Sequence, residues 1–274
     1  MSKLQKALEK AKEARGDFLE SLALATEVPE ESEKSPVVHQ VNKRQEVPAP
    51  VYFKTRKLPV DFSQLRQNRI IPICHGNAAA DRIKILRTQV LNRMVKEGKN
   101  TLLITSANPG EGKTLTAINL AISISHEMDR TTLLVDSDLR KPSIHSYFGF
   151  ESGPGLSDYL KNGARLSDLL VSPGIEKLVI LPGGTPMTNS SELLGSPRME
   201  SLVKELKERY ADRFIIFDSC SLLSYADPLV FSRFMDGILI VVEAEKTTRN
   251  DLKRTLEMLG DKPVIGTLLN KYRD

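Results

Sequence analysis

Six short apolar runs alternate with segments of helical periodicity, and this alternation constrains the fold more than any other feature of the sequence. The runs cover residues 101–105, 132–135, 178–181, 214–217, 237–242 and 264–269. Each run is apolar along its length instead of alternating with polar residues, which is typical of strands buried on both faces. Helices between such strands cover both faces of a parallel sheet. The sequence therefore predicts an α/β fold with a doubly wound, mostly parallel sheet.

The sequence predicts three parts along the chain. In residues 1–26, apolar residues recur three and four positions apart among Lys and Glu, which predicts an N-terminal amphipathic helical segment. Residues 27–77 contain repeated prolines and no sustained period, which indicates a flexible linker. Residues 78–274 contain the apolar runs and form the predicted main domain.

Composition excludes several classes of protein. Hydrophobic residues make up 40% and charged residues 27% of the chain, as in globular proteins, and a net charge of +4 is too small to indicate a nucleic-acid partner. Cys74 and Cys220 are isolated from each other and from histidine clusters, so the pattern predicts neither a disulfide framework nor a zinc site. The most apolar run, residues 237–242, is far shorter than the roughly 20 residues of a membrane span. We expect a cytoplasmic protein.

A glycine-rich segment between the first run and the next helix carries the clearest chemistry. Residues 107–114 read Ala-Asn-Pro-Gly-Glu-Gly-Lys-Thr, a Walker A loop with alanine in place of the first glycine. Its glycines let backbone N–H groups point at phosphate oxygens, and the following helix adds its positive N-terminal end. Lys113 would reach the β- and γ-phosphates, and the Thr114 hydroxyl would bind Mg²⁺. The predicted nucleotide-binding residues of this segment are Asn108, Pro109, Gly110, Glu111, Gly112, Lys113, Thr114 and Leu115.

Three carboxylates follow apolar runs at positions where a nucleotide site is expected. Asp136 and Asp138 follow the second run, and Asp218 follows the run at residues 214–217. Ligands of open α/β sheets bind at the carboxyl ends of the strands, so these side chains can converge near a bound metal. We expect Thr114, Asp138 and Asp218 to be the metal ligands. An aspartate at a strand end can equally cap the following helix.

Together these motifs resemble the bacterial tyrosine kinases of capsule and exopolysaccharide synthesis, which are P-loop nucleotide-hydrolase folds. The loop at residues 107–114, the Asp-x-Asp-x-Arg segment that ends at Arg140 and the strand that ends at Asp218 resemble that family's Walker A, A′ and B signatures. Residues 189–194 are similar to its Asn-Pro-Ser-Glu-Leu-Leu segment. Residues 2–15 are similar to the autokinases that accompany exosortase loci.

The resemblance implies an ATP- and Mg²⁺-dependent protein-tyrosine kinase with ATPase activity. By this likeness the catalytic residues are Lys113, Asp136, Asp138 and Asp218, and Arg140 and Asn270 also contact the nucleotide. Arg140 can alternatively pair with a neighbouring carboxylate, and Asn270 can belong to a terminal turn. The implied partners are a protein tyrosine, further copies of the chain and an integral membrane polysaccharide co-polymerase, which would hold this cytoplasmic protein at the inner membrane.

The sequence departs from the family pattern at three places. Ser219, Cys220 and Ser221 replace a small residue and two prolines after the Walker B aspartate, and Asp81, Lys84 and Arg87 replace the Glu-x-x-Arg-x-x-Arg assembly motif. The tyrosine-rich tail is missing, which leaves Tyr272 or Tyr52 as the predicted acceptors.

Two other functions stay open on the sequence. One is a nucleotide-gated adaptor of the export machinery that phosphorylates nothing. The other is a positioning or partition ATPase of the deviant Walker class, which the absence of a lysine in residues 106–110 disfavours.

Overall fold

The computed structural model describes residues 55–59, 61–70, 78–209 and 212–272. All of them belong to one compact unit, residues 44–274. The predicted N-terminal helix at residues 1–26 and most of the predicted linker lie outside the described residues.

The described strands form one eight-stranded sheet in the order β1-β4-β5-β3-β6-β2-β7-β8. Neighbouring strands are parallel except β4 and β5, which are antiparallel. This confirms the predicted doubly wound, mostly parallel sheet, and all six apolar runs lie in strands. The strands are β1 (Arg56–Lys57), β2 (Thr101–Ser106), β3 (Thr131–Asp136), β4 (Val171–Ser172), β5 (Leu178–Leu181), β6 (Arg213–Ser221), β7 (Gly237–Glu243) and β8 (Val264–Asn270).

Helices cover both faces of the sheet, and some of them begin at a side-chain cap. Ser196 accepts a hydrogen bond from the Met199 N–H (3.2 Å) at the start of the helix Pro197–Arg209, where Pro197 occupies the first turn. The helices are α1 (Phe62–Gln67), α2 (Ala78–Met94), α3 (Lys113–Ser125), α4 (Ile144–Phe148), α5 (Leu156–Asn162), α6 (Leu166–Leu169), α7 (Ser190–Leu194), α8 (Pro197–Arg209), α9 (Asp227–Phe231) and α10 (Arg249–Leu259), with 3₁₀ turns at Val95–Glu97 and Ser232–Phe234.

The core consists of two apolar clusters, one on each face of the sheet. Along β3, Leu133 and Val135 belong to one cluster and Leu134 to the other, because successive side chains of a strand point to opposite faces. Helices α1 to α4 contribute to the cluster of Leu134, and α5 to α10 contribute to the other. Both faces are therefore apolar, which explains why the strands are apolar along their length.

Residues 61–70 differ from the predicted linker. Asp61 caps α1 by accepting hydrogen bonds from the N–H groups of Ser63 (2.9 Å) and Gln64 (3.2 Å). Leu65 and Ile70 are buried in the cluster on the α3 face. A helix of six residues with one buried leucine gives no sustained period, so the sequence pattern did not reveal it.

Across the described ranges, no helix combines the length and apolar character that a membrane crossing requires.

Candidate nucleotide site

Three adjacent parallel strands, β3, β6 and β2, end at one edge of the sheet and position the candidate site. Asp136 at the end of β3 lies directly opposite Asp218 of β6 in the strand register. On the other side of β6, β2 leads through residues 107–112 into α3. The sheet order therefore brings the two acidic strand ends next to the glycine-rich loop.

The loop has the conformation that its glycines allow. Gly110 and Gly112 have φ angles of 82° and 95°, which side chains rarely adopt. A Cβ atom on Gly112 would also lie 2.1 Å from Asn270 Nδ2. Both the φ angle and this close contact therefore require glycine at this position. Lys113 and Thr114 form the first turn of α3, and both are partly exposed. Among the other predicted loop residues, Pro109 is exposed, and Asn108 and Leu115 are partly buried.

The acidic side of the site, Asp136 and Asp218, consists of buried carboxyl groups with raised pKa values. Burial raises the pKa of Asp136 to about 7, and hydrogen bonds from Ile144 and Ser143 oppose the rise. Burial and the charge of Asp136 raise the pKa of Asp218 well above its usual value, although Thr114 and Lys113 lower it. Both carboxyl groups therefore favour protonation more than free aspartates do.

Asp138 is less deeply placed than these two residues. Burial also raises its pKa, against a backbone hydrogen bond from Lys141 (3.0 Å) and the charge of Lys113. Lys113 lowers the pKa of both Asp138 and Asp218, so the loop lysine lies near these two carboxylates.

Three buried carboxylate oxygens of Asp136 and Asp218 have no hydrogen-bond partner of normal geometry. Asp136 Oδ2 accepts hydrogen bonds from the N–H groups of Ser143 (2.8 Å) and Ile144 (3.0 Å), which caps α4 as strand-end aspartates often do. These atoms are Asp136 Oδ1, Asp218 Oδ1 and Asp218 Oδ2. The Thr114 side chain lies close enough to Asp218 to lower its pKa but makes no hydrogen bond of normal geometry with it. Buried polar atoms are normally satisfied, so unpartnered ones indicate a place for a ligand, ion or water.

Arg140 is held by a carboxylate that the sequence analysis did not single out. Its Nε and Nη2 atoms bond to the two oxygens of Asp227, at 3.2 and 3.1 Å, and Asp227 is completely buried and also accepts from Ser190. The ring of Tyr225 lies 4.5 Å from the guanidinium carbon. The alternative in which Arg140 pairs with a neighbouring carboxylate is the one the structure contains. Asp227 just precedes Pro228 at a helix start, a weak signal in the sequence.

Two of the residues predicted to bind nucleotide make side-chain contacts with the loop itself. The buried carboxylate of Glu111 accepts hydrogen bonds from the Asn108 N–H (3.1 Å) and from the Thr247 hydroxyl. Asn270 Nδ2 donates to the Glu111 carbonyl (2.9 Å). Lys271, which the sequence analysis also passed over, donates to the Gly110 carbonyl (2.7 Å).

The segment after Asp218 is a regular strand continuation. Without the family's prolines, β6 runs on to Ser221, and the Cys220 carbonyl accepts from the Thr105 hydroxyl (2.8 Å). Cys220 is buried, and burial raises its pKa to about 12. Its thiol is therefore protonated and unreactive at neutral pH.

The residues aligned with the family's assembly motif lie on α2. Asp81 and Lys84 pair with each other (2.9 Å) on the exposed face. Arg87 instead donates to the Ser123 carbonyl (3.0 Å) and pairs with Glu127 (2.7 Å) within the chain.

Known proteins are similar to this chain in sequence and in fold. Tyrosine-protein kinase CpsD of Streptococcus pneumoniae is 32% identical over 172 residues, which are 61% of this chain and 74% of CpsD. This chain belongs to the bacterial tyrosine-kinase family. Tyrosine-protein kinase YwqD of Bacillus subtilis is 29% identical over 210 residues, 76% of this chain and 87% of YwqD.

A solved structure of the family has the same fold. The crystal structure of the chimerical protein CapA2B2 matches with a TM-score of 0.70 and 27% identity, over 82% of this chain and 96% of that one. No family model matches the chain. The resemblance inferred from the motifs is thus confirmed by relatives that this chain covers over most of their length.

Proposed function

We propose that this protein is a Mg²⁺- and ATP-dependent protein-tyrosine kinase with ATPase activity that serves exopolysaccharide synthesis. One observation carries the proposal: the P-loop lysine and threonine meet two buried carboxylates with unpartnered oxygens at one sheet edge, in a chain of the bacterial tyrosine-kinase family.

The loop and α3 supply the phosphate site. N–H groups of residues 110–114 and the positive end of α3 bind the phosphates, and Lys113 stabilises charge on the transferring γ-phosphoryl group. Arg140, fixed by Asp227, adds positive charge at the rim. Asn270 contributes through the loop that it contacts.

The acidic residues fit a magnesium ion. Carboxylate and hydroxyl oxygens are the ligands that Mg²⁺ prefers, and it usually retains waters and phosphate oxygens. The described residues contain no group of three or more His, Cys, Asp or Glu side chains arranged to hold a metal unaided. Thr114, Asp138 and Asp218 would therefore hold the ion together with the nucleotide, and it would neutralise phosphate charge.

Asp136 and Asp138 orient the incoming tyrosine. Asp138 is the more accessible of the acidic residues, and a raised pKa suits a group that accepts a hydrogen bond from a hydroxyl near neutral pH. Asp136 is fixed by the N-terminus of α4, so it supports the site from behind.

The proposed partners follow from exposed features and from the resemblance. Ile85 is exposed on α2 beside the Asp81–Lys84 pair, which favours a contact there between copies of the chain. Membrane association would come through a polysaccharide co-polymerase, with the protein in the cytoplasm. Residues 1–26 and the linker would form that tether, and the capped helix at Phe62–Gln67 supports a main domain that starts near Asp61 instead of Ala78.

Tyr272 stays the proposed principal acceptor among the described tyrosines, with Tyr52 outside the described ranges. Tyr272 is 59% exposed, and Tyr225 is 38% exposed. Tyr147 and Tyr159 are partly buried. Autophosphorylation should be weak, with efficient activity directed at a separate substrate.

The test is purified protein with Mg²⁺-ATP, followed by anti-phosphotyrosine blotting, phosphopeptide mapping and phosphate release, with Lys113→Ala as the inactive control. Phosphotyrosine that depends on Lys113 supports the kinase. The regular strand at Ser219–Ser221 favours the adaptor as second candidate, and steady ATP hydrolysis without phosphotyrosine on the chain or a co-purified partner would establish that function instead.

A further inference from the structure

Glu111 places a negative charge inside a loop that is expected to bind anions. Its side chain is completely buried, and both of its oxygens have partners within the chain. One partner is the N–H of Asn108 in the same loop, and the other is the hydroxyl of Thr247 in the turn after β7. The carboxylate therefore faces the protein interior and fastens the loop to that turn.

Two side chains at the end of β8 reach the same stretch of loop. Asn270 donates to the Glu111 carbonyl (2.9 Å), and Lys271 donates to the Gly110 carbonyl (2.7 Å) while pairing with Glu243 (3.1 Å). We call these donors the brace, which consists of Thr247, Asn270 and Lys271. They lie 136 to 161 positions along the chain from the residues that they contact.

The brace is oriented by its own hydrogen bonds. The Thr247 hydroxyl accepts from the Glu243 N–H (2.9 Å), so its proton is directed at Glu111. Lys271 is fixed between Glu243 and the loop. The donors are thus held at the ends of two adjacent parallel strands, Thr247 in the turn after β7 and Asn270 and Lys271 at the end of β8.

The brace donates to acceptor groups of the loop, which are the carbonyls of Gly110 and Glu111 and the Glu111 carboxylate. These hydrogen bonds use none of the loop's N–H groups, and successive N–H groups of a glycine-rich turn are the donors that bind anions. Dipoles that are fixed in advance bind charge without the cost of reorganisation.

We propose that Thr247 and Lys271 are positioning residues that hold the phosphate loop in its nucleotide-binding shape. The proposal rests on the proposed function, because it assigns these residues to the same nucleotide site. They act through Gly110 and Glu111 and do not touch the nucleotide themselves.

The first variant removes one hydroxyl at nearly constant volume. Thr247→Val leaves a buried oxygen of Glu111 without its donor, so the Kd for Mg²⁺-ADP and the KM for ATP should rise about tenfold. The kcat at saturating ATP should change by less than about threefold, since uniform binding is what is lost. Thr247→Ser restores the hydroxyl and should bind within about twofold of the wild type.

The second variant tests the exposed end of the brace. The Lys271 side chain is 46% exposed, so Lys271→Met should leave urea unfolding of the nucleotide-free protein unchanged while raising the Kd for Mg²⁺-ADP. The expected rise is about threefold, because an exposed charged hydrogen bond is weaker than a buried one. Thr267→Val makes the Thr247 change at an exposed position of β8 and should alter nothing.

Calorimetry with Mg²⁺-ADP decides between the outcomes. Weaker binding in Thr247→Val and Lys271→Met, with rescue by serine at 247, supports the brace. Unchanged binding in Thr247→Val, or equal losses with valine and serine, overturns it. If Thr247→Val does not fold, unchanged binding by Lys271→Met overturns it alone. Wild-type protein that binds no ADP would overturn the proposed function itself and this inference with it.

Discussion

The two sides of the phosphate loop satisfy their polar groups in opposite ways. On the brace side, both oxygens of Glu111 and the carbonyls of residues 110 and 111 have donors. On the acidic side, Asp136 and Asp218 retain three buried oxygens without partners of normal geometry. This comparison indicates that polar groups which support a site form hydrogen bonds within the protein, whereas polar groups that receive a ligand keep their hydrogen-bonding capacity for that ligand.

This difference has an energetic consequence. Two buried carboxyl groups opposite each other destabilise the fold when both are charged, because each loses solvation and repels the other. The brace side has no such conflict, since its buried carboxylate is hydrogen-bonded. The nucleotide-free protein should therefore be limited in stability by its acidic side, a trade of stability for function.

The largest expected effect comes from removing the cation between the two sides. Lys113→Ala deletes the charge that lowers the pKa of Asp218 and that would bind the phosphates. Turnover should fall by roughly 10²–10³-fold or more, the usual loss for a group that stabilises transition-state charge. Phosphate release and phosphotyrosine blotting measure it. Full activity together with unchanged Mg²⁺-ATP affinity would refute the nucleotide site.

Much of the acidic side was predictable because its signals are local. Each aspartate directly follows an apolar run, and parallel strands place their carboxyl ends at one edge. Lys113 and Thr114 lie in one short motif, so their position followed without knowledge of the sheet order. The strand register of Asp136 and Asp218 needed the structure.

The brace and the sheet edge could not be predicted for a physical reason. Thr247 and Lys271 meet the loop only because β7 lies beside β2 and β8 lies beside β7, and no spacing in the sequence encodes that contact. Strands β1 and β4 have two residues each and give no period. Asp227 looks like an ordinary helix-start residue until Arg140 is placed on it.

A second prediction asks whether both sides depend on the same packed core. Leu65→Ala removes a side chain that is 2% exposed, and the cavity should lower the free energy of unfolding by about 2 to 4 kcal/mol. Nucleotide affinity of the folded fraction should not change. Phe62→Ala, at a 50% exposed position of the same helix, should cost less than about 0.5 kcal/mol in urea unfolding. If the two variants lowered the free energy of unfolding equally, residues 61–70 would belong to the linker and not to the packed core.

A third prediction concerns pH and isolates the acidic side. Because the folded-state pKa of Asp136 is raised to about 7 from 3.8, the folded protein binds more protons than the unfolded chain between these values. Stability of the metal-free protein should therefore fall as pH rises from about 4 to 7, by about 1 to 3 kcal/mol. Urea unfolding in EDTA at several pH values measures it, and Mg²⁺-ADP should reduce the slope. A free energy of unfolding that rises over this range would contradict the raised pKa of Asp136.

The smallest expected effect compares one substitution, aspartate to asparagine, at two sites. It should raise the free energy of unfolding at one site and lower it at the other. Asp218→Asn removes a charge that faces Asp136, so the metal-free protein should gain about 1 kcal/mol of unfolding free energy while losing activity. Asp236→Asn is the matched control. Burial raises the pKa of Asp236, but Lys207 (2.7 Å) and Thr101 (2.7 Å) outweigh it and hold the pKa below its usual value.

Asp236→Asn should therefore lower the free energy of unfolding by about 1 to 2 kcal/mol, because it weakens charge-assisted hydrogen bonds. Unfolding in urea with EDTA at pH 8, above the pKa of about 7 of Asp136, gives the two signs side by side. The gain at position 218 should vanish at pH 5, because protonation of the acidic pair already removes the repulsion there. A loss of stability at both positions would mean that the oxygens of Asp218 are satisfied within the chain, and the comparison between the two sides of the loop would fail.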